Sequence, residues 1–220
     1  MGREAHRRSA ALALVAIALV LAVAGCGGGG DDEKSSAGSC ESVDAPKPEE
    51  RTRKKPADTL DASKTWDVEL ETNCGSFTIR LDVKNSPNTA TSFASLARTG
   101  FFDKTIFHRI VPGFVVQGGD PTASGTGGPG YKVVDKPPAS AGYTHGVVAM
   151  AKTQAEAAGT SGSQFFVVTA DDAGLPPDYA ILGKVVKGLD VVDHIGTLGD
   201  PTTEQPTETV EIEKATVTSS

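Results

Sequence analysis

The chain has 220 residues, with 21 lysines and arginines against 28 aspartates and glutamates, and a formal net charge of −7 at pH 7. So acidic a chain argues against nucleic-acid binding, which needs clustered Lys and Arg to displace counterions from phosphates. Its four histidines, His6, His108, His145 and His194, have no metal-ligand spacing and no acidic cluster beside them, so metal-dependent chemistry has no support.

The first 25 residues have the layout of a secretory signal peptide. Arg3, Arg7 and Arg8 form a basic start, and an uninterrupted apolar run of 15 residues follows from Ala10 to Ala24. As a helix this run would be about 22 Å long, which is short for the ~30 Å hydrocarbon core of a bilayer. A permanent membrane span is therefore the weaker interpretation.

Cys26, which follows "VAG", resembles the cysteine of the bacterial lipobox. In that class of protein the cysteine is lipidated and becomes the mature N-terminus. This resemblance predicts a signal peptide at 1–25 and an extracytoplasmic protein that is lipid-anchored to the bacterial cell membrane. The alternative is an ordinary signal peptide with an incidental cysteine. Without residues 1–25 the chain keeps 18 basic and 27 acidic residues, a net charge of −9, so the lipid and not surface charge would hold it at an anionic membrane.

Two further cysteines remain, Cys40 and Cys74. A pair of thiols in an exported protein favours a disulfide, which would tie the N-terminal segment to the first predicted strand. Two unpaired buried thiols are the alternative.

Residues 26–64 are interpreted as a flexible tether and linker. The stretch "GGGGDDEKSSAGS" after Cys26 has the composition of a Gly/Ser linker, and 41–64 stays polar with several prolines and the run "EERTRKK". A single folded domain is predicted over 65–218, which is long enough to bury a core.

Alternating apolar and polar residues predict a β-hairpin over 66–82, on both sides of "TNCG". A helix is predicted next, with Ser86 as N-cap, Pro87 at the first helical position and Gly100 as C′. Short apolar runs separated by Gly and Pro over 101–185 indicate a closed or nearly closed β structure. A second helix is predicted near 188–195 and a final strand over 208–218.

The stretch "FHRIVPGFVVQGGDP" at 107–121 places one polar residue, Arg109 or Gln117, in each half of an apolar hairpin. A three-residue connection, Pro112-Gly113-Phe114, would set Arg109 opposite Gln117. A two-residue turn would send the two side chains to opposite faces. The pattern alone leaves both registers open, with a solvent-facing arginine as one outcome.

This stretch, with "GTGG" at 125–128, "AMA" at 149–151 and "GSQFFVVT" at 162–169, resembles the cyclophilins. The resemblance covers roughly residues 66–217. It implies a mainly β fold, an eight-stranded antiparallel barrel capped by two helices, with peptidyl-prolyl cis-trans isomerase activity and no metal or cofactor. Proline-containing polypeptides would be the substrates, exported proteins would be assisted in folding, and we expect a monomer.

Carried over by position, Arg109 stands where the family has its catalytic arginine. The implied substrate-binding positions are the neighbouring Gln117, the proline-pocket wall at Phe114, Val115, Phe166 and Leu175, the substrate-pairing backbone at Ala151, Lys152 and Thr153, its neighbour Gln164, and Tyr179. The chain departs from the family's common pattern at four of its positions: Val115 replaces a frequent Met, Lys152 a common Asn, Tyr179 a frequent His, and Gly174 the Trp of many eukaryotic members. Because that Trp contributes to cyclosporin binding, its absence predicts weak inhibition.

Two other functions compete with an isomerase. One is a non-catalytic proline-peptide-binding or chaperone module on the cell surface, which could dispense with Arg109. The other is an assembly protein that uses the barrel as a scaffold. An always-protonated guanidinium suits the isomerase, because it can donate a hydrogen bond to the proline nitrogen as the amide twists.

Overall fold

The computed structural model describes residues 39–220, so the predicted signal peptide at 1–25 and the lipidation site Cys26 lie outside the described residues. Two helices, α1 (Pro87–Arg98) and α2 (Leu189–Gly196), and eleven strands are present in this range. The strands are β1 (Trp66–Thr72), β2 (Gly75–Leu81), β3 (Thr105–Ile106), β4 (Arg109–Val111), β5 (Val115–Gly118), β6 (Val133–Val134), β7 (Val147–Met150), β8 (Thr160–Ser161), β9 (Phe165–Val168), β10 (Ile181–Lys187) and β11 (Glu211–Ser219).

Nine strands form one sheet in the order β3-β11-β1-β2-β10-β7-β9-β5-β4, with every pairing antiparallel. Its two end strands, β3 and β4, are halves of one segment interrupted only at 107–108, and a bridge joins Ile106 on β3 to Asp120, which follows β5 near the other end of the sheet. The sheet therefore curves back on itself as a barrel. The mainly β class of antiparallel strands with two helices is confirmed. The strand count differs slightly from the eight predicted, because this sheet has nine strands, or eight when β3 and β4 are counted as one.

The hairpin predicted at the start of the domain is formed by β1 and β2. Val68 and Leu70 on β1 and Phe77 and Ile79 on β2 are fully buried, while the residues between them face outward. Leu70 lies directly opposite Phe77 across the pair. The period of two in the sequence thus marks the face that enters the barrel core.

Helix α1 packs on the core through aromatic contacts. The ring of Phe93 meets that of Phe165 on β9 edge-on at 5.3 Å, and that of Phe102 at 4.6 Å. Gly100, at φ +64°, follows the helix as the predicted C′ residue. Ser86 occupies the N-cap position but its side chain makes no capping hydrogen bond. The side chain of Asp135 caps the helix instead: its Oδ2 accepts the Thr89 N–H at 2.6 Å.

Two small strands, β6 and β8, pair as a separate ribbon that the sequence did not predict. Each has two residues, which is too short for an apolar alternation to be recognised. No helix within residues 39–220 is long and apolar enough to cross a membrane.

The segment before the barrel, 39–64, lies along the surface of the domain. A disulfide joins Cys40 to Cys74, as the cysteine count predicted, and the Glu41 N–H donates to the Asn73 carbonyl at 2.7 Å. Further along, Nη1 of Arg51 donates to the carbonyls of Phe101 and Asp103, both at 2.7 Å. The predicted domain boundaries at 25/26 and 64/65 stay predictions.

Candidate active site

The β4–β5 hairpin adopts the register that brings its two polar residues together. Arg109 pairs with Gln117 and Val111 with Val115, so the connection is the three-residue Pro112-Gly113-Phe114. Gly113 has φ +68°, a conformation that glycine adopts without strain, and the Phe114 N–H closes the turn on the Val111 carbonyl at 3.0 Å. The two side chains therefore share one face.

Three side chains continue as a hydrogen-bonded row from this face. Nη1 of Arg109 donates to Oε1 of Gln117 at 3.3 Å, and Nε2 of Gln117 donates to Oε1 of Gln164 at 3.1 Å. Nε2 of Gln164 then donates to the Gly127 carbonyl at 3.1 Å. Each of the two side-chain amides donates at its nitrogen and accepts at its oxygen, so its orientation is fixed by its two neighbours. The oxygen of Gln117 therefore points toward the guanidinium.

The far end of this row is held by Asp120, which is only 1% exposed. Its Oδ1 accepts the N–H and the hydroxyl of Thr122, both at 2.7 Å, and its Oδ2 accepts the Gly127 N–H at 3.0 Å. Burial by itself would raise the pKa of Asp120, but these hydrogen bonds outweigh it and lower the pKa. A Cβ on Gly127 would lie 2.0 Å from Oδ1, so only glycine fits there. The "GTGG" motif thus serves to support the site.

Beside the row lies a pocket of about 250 Å³. It is lined by Arg109, Phe114, Val115, Gln117, Ala151, Lys152, Phe166, Leu175 and Tyr179. The two other implied site residues, Thr153 and Gln164, line an adjoining pocket of about 190 Å³. The fold therefore brings together every site residue that the resemblance implied, although their roles stay predictions.

One wall of the pocket is aromatic. The rings of Phe166 and Tyr179 meet edge-on at 5.6 Å, and the ring of Tyr143 packs edge-on against that of Tyr179 at 6.0 Å. The Tyr143 hydroxyl donates to the Tyr179 carbonyl at 2.7 Å and accepts the Tyr179 N–H at 3.0 Å. Burial raises the pKa of Tyr143, so its hydroxyl stays protonated and able to donate. Sequence reasoning missed Tyr143, which lies outside every motif.

Lys152, which stands where the family commonly has Asn, also lines this pocket, with only 3% of its side chain exposed. Its ammonium lies 2.5 Å from Oδ2 of Asp178, donates to the Glu156 carbonyl at 3.1 Å, and stands 5.6 Å from the centre of the Tyr179 ring. The ammonium is therefore fully paired inside the wall. Asp178 is a second residue that the sequence did not single out.

The backbone of 151–153 forms the edge between the two pockets. The Ala151 N–H donates to the Gln164 carbonyl at 2.9 Å, and the Thr153 N–H to Oε2 of Glu156 at 2.7 Å. Within residues 39–220 the Lys152 N–H has no such acceptor. Of the three residues, Lys152 is therefore the one whose N–H makes no hydrogen bond within the described part of the chain.

Arg109 also has a partner that sequence reasoning missed. Its Nε donates to Oε2 of Glu204 at 2.7 Å, a shorter contact than the one to Gln117. Glu204 is 95 positions away in a polar loop, and no local pattern in the sequence points to it.

Comparisons with known proteins point to one family. Residues 67–217 match the family described as cyclophilin type peptidyl-prolyl cis-trans isomerase. A peptidyl-prolyl cis-trans isomerase of Arabidopsis thaliana is 38% identical over 150 residues, covering 66% of this chain and 90% of the relative. Peptidyl-prolyl cis-trans isomerase-like 1 of Mus musculus is 37% identical, covering 69% of this chain and 93% of the relative.

Solved structures give the same result. The crystal structure of a cyclophilin type isomerase of Cryptosporidium parvum superposes with a TM-score of 0.65 and 29% identity, covering 71% of this chain and 99% of the other. A crystal structure of the same isomerase in the presence of the dipeptide Ala-Pro gives a TM-score of 0.64 and 28% identity, over 70% of this chain and 99% of the other.

Proposed function

The chain belongs to the cyclophilin family and is a peptidyl-prolyl cis-trans isomerase, and from this premise we propose that Arg109 carries the reaction at the pocket beside β4 and β5. The observation that supports this assignment is the convergence of the guanidinium, a row of oriented amides and an apolar pocket at one place on the barrel. The proposed substrates are exported polypeptides that contain Xaa-Pro bonds.

The chemistry depends on what happens to the amide as it rotates. An Xaa-Pro bond isomerises over a barrier of about 18–20 kcal/mol, because the amide loses its resonance on twisting. In the twisted state the proline nitrogen regains a lone pair that can accept a hydrogen bond. A donor placed there stabilises the twisted state more than either planar isomer, and this difference is what accelerates the reaction.

Arg109 is the proposed donor. Its guanidinium is always protonated and holds its N–H groups in a fixed plane. Within residues 39–220, Nε and Nη1 are engaged with Glu204 and Gln117, whereas Nη2 has no hydrogen-bond acceptor. The Nη2 donors therefore remain for the substrate.

The pocket walls hold the substrate while one side of the amide turns. Phe114, Val115, Phe166 and Leu175 offer apolar surface that suits a pyrrolidine ring. The open N–H of Lys152 pairs with the backbone of the substrate. With the ring and the chain held separately, only the bond between them rotates.

An Arg109→Ala variant tests the assignment. We expect turnover of a Xaa-Pro test peptide to fall at least tenfold, which corresponds to about 1.4 kcal/mol of transition-state stabilisation. The fold should persist, because the Arg109–Glu204 pair is 35% and 44% exposed and such pairs contribute about 0–1 kcal/mol. Arg80→Ala is the matched control, since Arg80 forms an exposed ion pair with Asp67 and lines no part of the pocket. Full turnover in Arg109→Ala would remove the assignment.

The proposal includes the location of the enzyme. Residues 1–25 would be a lipoprotein signal peptide and Cys26 would carry the lipid. Residues 26–64 would be the tether and linker, of which 39–64 lies along the domain surface, and 65–218 would be the isomerase domain on the outer face of a bacterial cell membrane. Support comes from the basic, apolar and small-residue order of the first 26 residues. The Cys40–Cys74 disulfide adds support, because disulfides persist in oxidising compartments.

Cell fractionation tests the anchor. Cys26→Ala should move the protein from the membrane fraction to the soluble fraction and abolish incorporation of a labelled fatty acid. Gly27→Ala leaves the cysteine in place and should change neither result. Persistence of Cys26→Ala in the membrane fraction would contradict lipidation as the sole tether.

A further inference from the structure

The contact between Arg109 and Glu204 is too exposed to be explained by stability. The two side chains are 35% and 44% exposed, and ion pairs of this kind contribute about 0–1 kcal/mol because water already solvates both charges. Its geometry is nevertheless the better of the two contacts that the guanidinium makes within residues 39–220, at 2.7 Å against 3.3 Å for Gln117. A hydrogen bond at 3.3 Å restrains an arginine only weakly.

The backbone brings Glu204 to this place. Its carbonyl accepts the N–H of Ile110, the residue that follows Arg109, at 2.9 Å. The backbone positions of the two charged residues are therefore coupled through one main-chain hydrogen bond. Glu204 has φ +58°, a left-handed conformation that costs a side-chain-bearing residue about 1–3 kcal/mol unless its surroundings enforce it.

The loop around Glu204 supplies those surroundings. The Glu204 N–H donates to the Asp200 carbonyl at 2.8 Å, and Oδ1 of Asp200 accepts the N–H groups of Thr202 and Thr203 at 2.8 and 2.7 Å. These hydrogen bonds lower the pKa of Asp200, the Thr203 N–H contributing most. Gly199 packs against β4 so closely that a Cβ would lie 2.2 Å from the Ile110 carbonyl oxygen. The loop is thus closed on itself and fixed to the strand that carries Arg109.

We infer that Glu204 is a positioning residue for the isomerisation, whose carboxylate fixes the side chain of Arg109 so that Nη2 faces the pocket. The inference rests on the proposed role of Arg109. A free arginine side chain has about 2 kcal/mol of rotamer entropy to lose when it is ordered. Glu204 orders the side chain before substrate arrives, so less of this entropy is lost in the transition state.

Three variants distinguish the effect of the Glu204 carboxylate on turnover from the effect of the loop that carries it. Glu204→Gly removes the side chain at a position where glycine is the favoured residue, so the melting temperature should stay level or rise. Glu204→Gln keeps an oxygen acceptor for Nε without the charge. Glu208→Ala is the matched control, because Glu208 is an exposed acid of the same region with no hydrogen bond or ion pair recorded in residues 39–220.

Steady-state kinetics on a Xaa-Pro peptide with the full chain is the measurement. We expect Glu204→Gly to lower kcat about fivefold with KM changed less than twofold, since the donor acts in the twisted state. Glu204→Gln should retain more than half of the wild-type kcat, and Glu208→Ala should match the wild type. An unchanged kcat in Glu204→Gly, or a loss confined to KM, would overturn the inference.

A double-mutant cycle with Arg109→Ala distinguishes positioning from a general effect of the loop. If Glu204 acts through Arg109, adding Glu204→Gly to Arg109→Ala should cost less than a further twofold. The same fivefold loss in both backgrounds would show that the loop acts independently, and would overturn the inference. Full activity of Arg109→Ala itself would instead refute the proposed function, so the two failures are distinguishable.

Discussion

Arg109 and Gln117 lie directly opposite each other across the β4–β5 hairpin, with Nη1 of the guanidinium 3.3 Å from Oε1 of the amide. A turn shorter by one residue would pair Arg109 with Val116 and point the two polar groups to opposite faces. The length of this turn therefore decides whether the arginine belongs to a site or to the outer surface. Four predictions concern this pair, its support at Asp120, and two contacts elsewhere in the domain.

Gln117→Ala should reduce turnover without preventing folding. The substitution removes one hydrogen bond to the guanidinium and another to Gln164, each contributing about 0.5–1.5 kcal/mol. We expect kcat/KM for a Xaa-Pro peptide to fall about three- to tenfold, less than in Arg109→Ala, because the Glu204 contact remains. Gln154→Ala, at an exposed glutamine outside the pocket, is the control. A wild-type rate in Gln117→Ala would show that the amide row has no role in turnover.

Asp120 should contribute stability that disappears in acid. Its pKa in the folded protein lies below the ordinary value of 3.8. A depressed pKa means that the stabilisation is present above the unfolded-state value and is lost as pH falls from about 4 through the folded-state pKa. Urea unfolding of the wild type and Asp120→Asn between pH 3 and 7 should show a difference that is constant at neutral pH and shrinks below about pH 4. A difference independent of pH would contradict this assignment.

Lys152 and Asp178 should behave as a coupled pair. Asp178→Asn leaves an almost fully buried ammonium without its counter-charge, and we expect a loss of stability below the roughly 3–5 kcal/mol typical of fully buried pairs, since Asp178 is 39% exposed. Lys152→Met with Asp178→Asn should recover most of that loss, because both charges are gone. Denaturant unfolding of the single and double variants measures this coupling, and additive losses would argue against it.

The Cys40–Cys74 disulfide should stabilise the domain by closing a loop across 34 positions. Loss of chain entropy in the unfolded state predicts a stabilisation of about 3–4 kcal/mol for a loop of this length. The measured loss should be smaller, because hydrogen bonds still hold segment 39–64 on the domain after the disulfide is removed. Replacing both cysteines with alanine should therefore lower the urea midpoint. Alkylation of the unreduced protein followed by mass measurement checks the bond, and two added alkyl groups on Cys40 and Cys74 would refute it.

The periodic elements of the fold could be predicted from the sequence. The alternation over 66–82 predicted a hairpin because a strand buries every second side chain, and Val68, Leu70, Phe77 and Ile79 do line the core. Helix α1 begins at the predicted Pro87 and is followed by Gly100 at φ +64°. The motif residues of the pocket were also named in advance, since their order along the chain is itself the signal.

Other features were decided only by the tertiary structure. Asp135 caps α1 in place of Ser86, Tyr143 holds Tyr179, and Asp178 pairs with Lys152. All three contacts join segments far apart in the chain, and all three involve loop residues that show no periodicity. The register at Arg109 belongs here too, because one residue of turn length reverses the face and leaves the composition of the hairpin unchanged.

The sequence by itself thus determined which residues could form an isomerase site, because burial patterns and motif order are local properties of a chain. It did not determine how Arg109 is held. That depends on Glu204, which reaches the guanidinium only because a loop 95 positions away closes on itself and bonds to β4. Contacts of this kind arise from the packing of finished elements, so only the folded chain contains them.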